Sequence, residues 1–255
     1  MVAPTHRVIR EVRFISFIIP AWNEESVLSG TLAAVNAVTQ QLTEPCEVIV
    51  VDDASTDHTA EIARACGARV VPVNHRQIAA TRNAGAKAAR GDVFFFIDAD
   101  TLIGEEVVRA ALESVRCGAV GGGCALRFDG QVPPYARVLQ ALMVRFSRIA
   151  GIAGGCFFFC IREAFHAVGG FDSGLYAAEE VAMSVALRRL GRFIVLPQFV
   201  TTSGRKLRTY SPRELFARLL RILFKGRKSL RDRQNLDIWY GDRRPDPKPL
   251  AMKAE

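Results

Sequence analysis

The sequence predicts an α/β fold in which a mainly parallel central sheet carries helices on both faces. The strand-like segments of the first hundred residues are almost wholly apolar, as strands buried on both faces are. They alternate with helix-like segments across short connections, the pattern of repeated strand–helix–strand units. Polar clusters recur at the carboxyl ends of those strands, where open sheets of this kind take their ligands.

In chain order, Phe14–Ile19 is the first strand and Glu24 to about Gln41 the first helix. Glu47–Val51 is a strand followed by a helix from Asp57 to Cys66, and Arg69–Val73 a strand followed by a helix ending at Ala89. Val93–Ile97 precedes a helix from Gly104 to Arg116. After Gly118 the pattern changes. The glycine-rich run GAVGGGCALRF and the run CFFFCI read as strands separated by a helix around Tyr135–Ile149. Glu179–Leu190 is a helix and Phe193–Leu196 a strand. No internal repeat or linker appears, so residues 1–205 are expected to form one domain: a nucleotide-binding half at about 14–117 and an acceptor half at about 118–205.

The chain has 255 residues, 49% hydrophobic and 24% charged, which fits one large core and excludes a disordered chain. No apolar run reaches the roughly 18 residues that span a bilayer, and the basic start MVAPTHRVIREVR lacks the apolar centre of a signal peptide. The six cysteines are scattered in apolar segments, as buried thiols in a reducing compartment would be. Cys156 and Cys160 lack the spacing and neighbouring histidines of a zinc site. A cytoplasmic location follows as an expectation, with the inner face of the membrane as a peripheral site. The formal charge of +8 is concentrated: residues 205–233 hold 11 Lys and Arg against 2 Asp and Glu.

The most informative stretch is Phe94–Asp100, FFFIDAD. An apolar strand ends on Asp98, Ala99 and Asp100, and an extended chain would turn both carboxylates to one side. Such a pair suits a hard cation, Mg²⁺ or Mn²⁺, with positions left for a substrate diphosphate. A strand-end turn that caps the next helix would need the same residues. In VVDDASTDHT, Asp57 or Thr56 caps a helix, whereas Asp52 and Asp53 precede the cap and are free to accept from a nucleobase N–H. Arg82 either binds phosphate or is a solvated helix arginine. Ser203, Arg205 and Lys206 either close over a diphosphate or form a basic surface loop. Glu179 and Glu180 open a helix, where the dipole favours acids, and a glutamate there that faces a cleft can act as a general base. Being adjacent, they are expected to point roughly 100° apart. The chain has neither a G-x-G-x-x-G after its first strand nor a G-x-x-x-x-G-K-[ST], which removes NAD-type and P-loop readings.

The ordered set FIIPAWNEE, VVDDASTDHT, ARVVPV, TRNAGAKAARGDVFFFIDADT, GGFDSGLYAAEEV and RRLGR resembles the family 2 glycosyltransferases of GT-A fold over about residues 14–205. The resemblance implies an inverting hexosyltransferase that uses a nucleoside-diphosphate sugar, UDP-linked by expectation, with a divalent cation (Mn²⁺ or Mg²⁺). It places Pro20, Trp22 and Glu24 in the nucleoside pocket, Asp52 or Asp53 on the base and Arg82 on base or phosphate. Asp98 and Asp100 would hold the metal, Asp100 most directly, while Ser203 and Arg205 resemble a phosphate-binding Ser-Ala-Arg-Arg segment. Glu180 stands where the family's catalytic base is usually an aspartate, with Glu179 beside it and Ala182 where another acid often occurs. The acceptor is a carbohydrate or a lipid-linked molecule. A polyprenyl phosphate, already a nucleophile, would need no base, so the glutamates favour a hydroxyl.

Two other classes share features of this sequence. Haloacid-dehalogenase phosphatases also end a strand in D-x-D, but they place Thr or Val two residues after the second Asp, whereas Thr101 follows immediately here. A catalytically inactive sugar-nucleotide binding module would not need every acid retained. Residues 206–255 are expected to be a basic amphipathic helix and a frayed tail. Ser211-Pro212-Arg213-Glu214 is a capping box with proline at the first helical position. The apolar and basic residues that follow suit an anionic membrane surface, engaged through residues 205–233. Without aromatic interleaving they do not suit nucleic acid.

Overall fold

Alternating strands and helices build β1 (Ile15–Ala21), α1 (Leu28–Thr39), β2 (Cys46–Asp53), α2 (Thr59–Ala65), β3 (Arg69–Val73), α3 (Ile78–Ala88) and β4 (Val93–Ile97). The chain continues through β5 (Thr101–Leu102), α4 (Glu105–Arg116), β6 (Ala119–Phe128), α5 (Pro134–Ala150), β7 (Phe157–Ile161) and α6 (Arg162–Ala167). It then forms α7 (Glu179–Leu190), β8 (Arg192–Thr202) and α8 (Arg205–Thr209). This computed structural model describes residues 10–130, 133–214, 230–233, 236, 240 and 241.

The strands form one sheet in the order β3-β2-β1-β4-β7-β6-β8-β5. β3, β2, β1 and β4 are parallel, as the apolar strand runs and helical crossovers require. β7 enters antiparallel to both β4 and β6, while β6 and β8 run parallel to each other. The two phenylalanine runs lie side by side in the sheet, with Phe95 opposite Phe159 and Phe96 opposite Phe158. All of these rings are fully buried. At about 1.5–3 kcal/mol for each buried side chain of this size, this seam is the strongest apolar contribution to the middle of the sheet.

Several boundaries differ from the sequence reading. The first helix begins at Leu28 and not near Glu24; the residues between form turns in which Val27 and Leu28 N–H donate to Glu24 C=O, while Glu24 and Glu25 N–H donate to Thr59 and Asp57. The last strand runs from Arg192 to Thr202, well beyond Leu196. Pro197, which has no N–H to give, coincides with a register shift against β6 between Cys124 and Ala125. β5 and α6 are too short to leave a periodic signal. The six cysteines are free thiols, with Cys124, Cys156 and Cys160 buried. The capping box exists as expected: Glu214 N–H donates to Ser211 Oγ and Ser211 N–H to Glu214 Oε2. The amphipathic stretch at 215–229 lies outside the described residues.

α3 lies against β1 and β2 at a contact that only glycine permits. A Cβ on Gly85 would sit 2.3 Å from Ile18 Cγ2 and 2.8 Å from Val51 Cγ2, both on buried strands. This close approach seats Arg82, one turn earlier on α3, over the end of β4. Replacing Gly85 by alanine improves helix propensity by about 1 kcal/mol but overpacks the core, which costs about 1–3 kcal/mol. Urea unfolding of Gly85→Ala should therefore show a net loss of stability, and a gain would contradict this packing.

Candidate functional site

A cavity opens at the carboxyl ends of β1, β2 and β4. Pro20, Trp22, Glu24, Asp53, the Asp98–Asp100 turn and the pair Glu179 and Glu180 line it. Two backbone connections shape its near side. Asn23 and Ala54 both adopt the left-handed region, at φ 51° and 56°, and Asn23 Oδ1 accepts Thr56 N–H at 2.8 Å. The connections after β1 and β2 are thereby fastened together. Asp57, expected as a cap, serves both: Oδ1 accepts Thr59 N–H at 3.0 Å and Oδ2 accepts Glu25 N–H at 3.2 Å.

The D-x-D segment is a turn and not an extended strand end, which corrects the alternation argument. β4 stops at Ile97, and Thr101 N–H donates to Asp98 C=O at 3.1 Å. Both carboxylates still reach the cavity, because the turn is clamped from three sides. Thr31 of α1 donates to Ala99 C=O at 2.8 Å. Asp98 N–H donates to Cys156 C=O at 3.2 Å, and Ser203 N–H to Asp100 C=O at 3.1 Å. Thr202 Oγ1 donates to Asp100 Oδ1 at 3.3 Å.

Arg82 is not a solvated helix arginine: it lines the cavity and is buried among partners of its own. Its side chain is 3% exposed, and its guanidinium donates to Asp98 Oδ1 at 2.8 Å, Glu179 Oε1 at 2.9 Å and Gly155 C=O at 2.9 Å. Burial works against its charge. Asp98, Glu179 and Glu180 outweigh that cost and raise its pKa. One buried cation therefore joins the D-x-D turn to the start of α7.

Both helix-start acids line the cavity, and Ala178, left-handed at φ 60°, turns the chain immediately before α7. Glu179 is buried, and its pKa is pushed up to about 8 by burial first and by Glu180 second; Arg82 does not offset this, its charge being shared with Asp98. Glu179 and Glu180 also share a side-chain hydrogen bond. Glu180 occupies space that Gly155 leaves open, since a Cβ there would fall 2.2 Å from Glu180 Oε1.

The remaining predicted residues divide. Asp53 lies at the cavity, but its carboxylate accepts from His75 N–H, Arg76 N–H, Gln77 N–H and Thr81 Oγ1 at 2.6–3.2 Å, holding the start of α3. Asp52 accepts Ser55 N–H at 3.3 Å and is not on the cavity wall. Ser203 and Arg205 are also off the wall. Ser203 supports the D-x-D turn through its backbone, and Arg205 pairs with Glu24 at 3.1 Å. Lys206, their neighbour, does line the cavity. Sequence reasoning missed Arg76, whose guanidinium lies 3.5 Å from the centre of the Trp22 ring. It also missed Tyr240, which packs edge-on to Tyr176 at 5.5 Å and reaches the wall from the segment expected to be a tail.

Asp98 and Asp100 are neighbouring oxygen donors at this cavity that could hold a hard cation. Among the described residues no cluster of three His, Cys, Asp or Glu could hold a metal. The pair therefore fits an ion whose other positions belong to substrate phosphate and water, and the 37% exposure of the Asp98 side chain leaves it open to the cavity beyond Arg82.

Comparison with known proteins bears on this arrangement. The sequence model of glycosyl transferase family 2 matches residues 16–168. An undecaprenyl-phosphate 4-deoxy-4-formamido-L-arabinose transferase of Aeromonas hydrophila is 37% identical over 98 residues, which are 35% of this chain and 30% of that protein. The chain thus spans about 30% of the length of such relatives. Among solved structures, a mannosyltransferase of Pyrobaculum calidifontis with GDP-Man and Mn²⁺ aligns at a TM-score of 0.62 and 21% identity, covering 83% of this chain and 61% of that one. Glucosyl-3-phosphoglycerate synthase of Mycobacterium tuberculosis with Mn²⁺, UDP and glucosyl-3-phosphoglycerate aligns at 0.57 and 20% identity, covering 83% and 77%. These likenesses show the GT-A fold.

The raised pKa of Glu179 has a sign that can be checked. Folding binds its proton more tightly, so its contribution is most favourable below the free-glutamate value of about 4.3 and is lost as pH rises toward about 8. Urea unfolding across that window should show the wild type losing stability relative to Glu179→Gln as pH rises. A difference that stays flat would mean that Glu179 ionises as an ordinary carboxyl group.

Proposed function

The chain belongs to glycosyl transferase family 2, and we propose that it moves a sugar, with inversion, from a UDP-linked nucleoside-diphosphate donor to a hydroxyl of a carbohydrate or lipid-linked acceptor. The observation that carries this reading is the cavity lined by two acid pairs, Asp98 with Asp100 and Glu179 with Glu180, tied together by buried Arg82.

Donor and acceptor take different parts of that cavity. Pro20, Trp22 and Glu24 receive the nucleoside, with Asp53 beneath them. Asp52 shapes the connection behind this pocket through Ser55. Asp98 and Asp100 hold a divalent cation, Mn²⁺ or Mg²⁺, and Lys206 faces the diphosphate. When bound, that cation offsets charge building on the departing diphosphate. Solved relatives in fold contain Mn²⁺ with GDP-Man or with UDP, which supports both the ion and the donor class.

Glu180 takes the proton of the acceptor hydroxyl as its oxygen attacks the anomeric carbon. The bond from that carbon to the diphosphate oxygen breaks on the opposite face, giving inversion. Burial and Glu180 push the Glu179 pKa up to about 8, and Glu180 holds the family position of the base. A second reading, transfer to a polyprenyl phosphate, draws support from the undecaprenyl-phosphate transferases among the relatives. No helix of the described residues is long and apolar enough to cross a membrane.

Asp100→Ala should lower donor turnover by about a hundredfold or more while leaving the melting temperature within a few degrees of wild type. Unchanged, metal-independent transfer by that variant would sink the assignment. Glu180→Gln should lower transfer to a hydroxyl acceptor by about 10²–10⁴-fold and leave nucleotide-sugar affinity nearly unaltered. Full activity in the Glu179→Gln, Glu180→Gln double variant would instead favour the phosphate acceptor.

A further inference from the structure

α5 is turned inside out relative to an ordinary surface helix. Val138, Leu142, Phe146 and Ile149 follow one another at helical spacing, with Tyr135 a turn before, and they are 63, 61, 66, 76 and 41% exposed in that order. Met143, 54% exposed, borders them. Of the residues turned inward, Ala136 is buried, and Gln140, Val144 and Ser147 are half-buried. A contiguous stripe of large apolar side chains facing outward marks an interaction surface.

Its charge selects the occupant. α5 contains Arg137, Arg145 and Arg148, all exposed, and no acidic residue. The arginines recur at positions that flank the stripe on one side, the pattern of a helix lying in a lipid interface. A second copy seated on this face would bring arginines beside arginines, with no carboxylate on either helix to meet them.

The helix is also coupled to the site. Gly151, left-handed at φ 61°, ends it, and the five residues that follow run behind residues that line the cavity. There Ala153 N–H donates to Ser184 Oγ on α7 at 3.2 Å, and Gly155 touches both Arg82 and Glu180. We propose that α5 docks the protein on an anionic phospholipid surface, its apolar stripe entering the interface and its arginines meeting lipid phosphates. The acceptor side at Glu180 is thereby carried to the membrane. The inference deepens the lipid-linked reading of the acceptor and rests on it.

The test is co-sedimentation of the full chain with vesicles of phosphatidylcholine, alone or mixed with phosphatidylglycerol. The wild type should bind the mixed vesicles, and Phe146→Glu with Ile149→Glu should cut partitioning by about tenfold or more. Because both side chains are exposed, the fold should be unaffected. Arg137→Gln with Arg145→Gln should remove the preference for anionic lipid by a similar factor. Wild-type protein that fails to bind, or the Phe146/Ile149 variant binding as wild type does, would overturn the proposal. So would an oligomer that this variant converts to monomer with vesicle binding unchanged, or vesicle binding that depends only on the basic residues of 205–233. Thermal shift by nucleotide sugar with Mn²⁺, run on the same proteins, separates the two claims. Absence of that shift in the wild type counts against the glycosyltransferase site, whereas an unaltered shift beside lost vesicle binding is the result expected here.

Discussion

One buried cation organises this molecule. The Arg82 guanidinium, 3% exposed, could not be held in the interior without compensation, since removing one partner of a buried pair typically costs about 3–5 kcal/mol. Its compensation comes from opposite directions, Asp98 after β4 and Glu179 at the start of α7, with Gly155 C=O as a third acceptor. The donor-side turn, the acceptor-side helix and the strand-entry loop between them are fixed to the same atoms. Gly85 is part of the same constraint, because without its close approach to Ile18 and Val51 the helix would ride too high to deliver Arg82 to them.

Around that centre the acids are sorted by environment. Asp53 is spent on three backbone N–H groups and a threonine hydroxyl, and it shapes the start of α3. Glu24 is neutralised by Arg205. Asp98 is half-committed to Arg82 and half-open to the cavity, while Asp100 sits on a turn braced by β8. Burial pushes the Glu179 pKa up to about 8. The proposed division of labour between donor and acceptor groups rests on which acids Arg82 and burial have already claimed.

The fold was legible because its signals are local. Runs such as FFFI and FFFCI declare buried strands wherever they are placed, and short connections with helices between them leave few arrangements of the parallel half. The D-x-D and the glutamate pair stood out for the same reason. Geometry was not local. Arg82 finds its partners 16 and 97 residues away, and Arg205 finds Glu24 across 181, so a solvated or phosphate-binding arginine was the natural reading of each segment alone. The turn at Asp98–Asp100 depends on clamps from α1, β7 and β8, which the FFFIDAD string does not contain. In α5 the 3.6-residue period was visible, but nothing in the period says which face looks outward.

The account depends most on Asp98 and Glu179 competing for the one guanidinium. Its direct test is the titration of the Glu179 side-chain carboxyl, followed by carbon-13 NMR in glutamate-labelled protein and assigned with Glu179→Gln, in wild type and in Asp98→Asn. With the competing carboxylate gone, Arg82 turns its charge to Glu179, and the Glu179 titration should move to clearly lower pH. An unchanged titration in Asp98→Asn would show that the two acid pairs are not joined through Arg82.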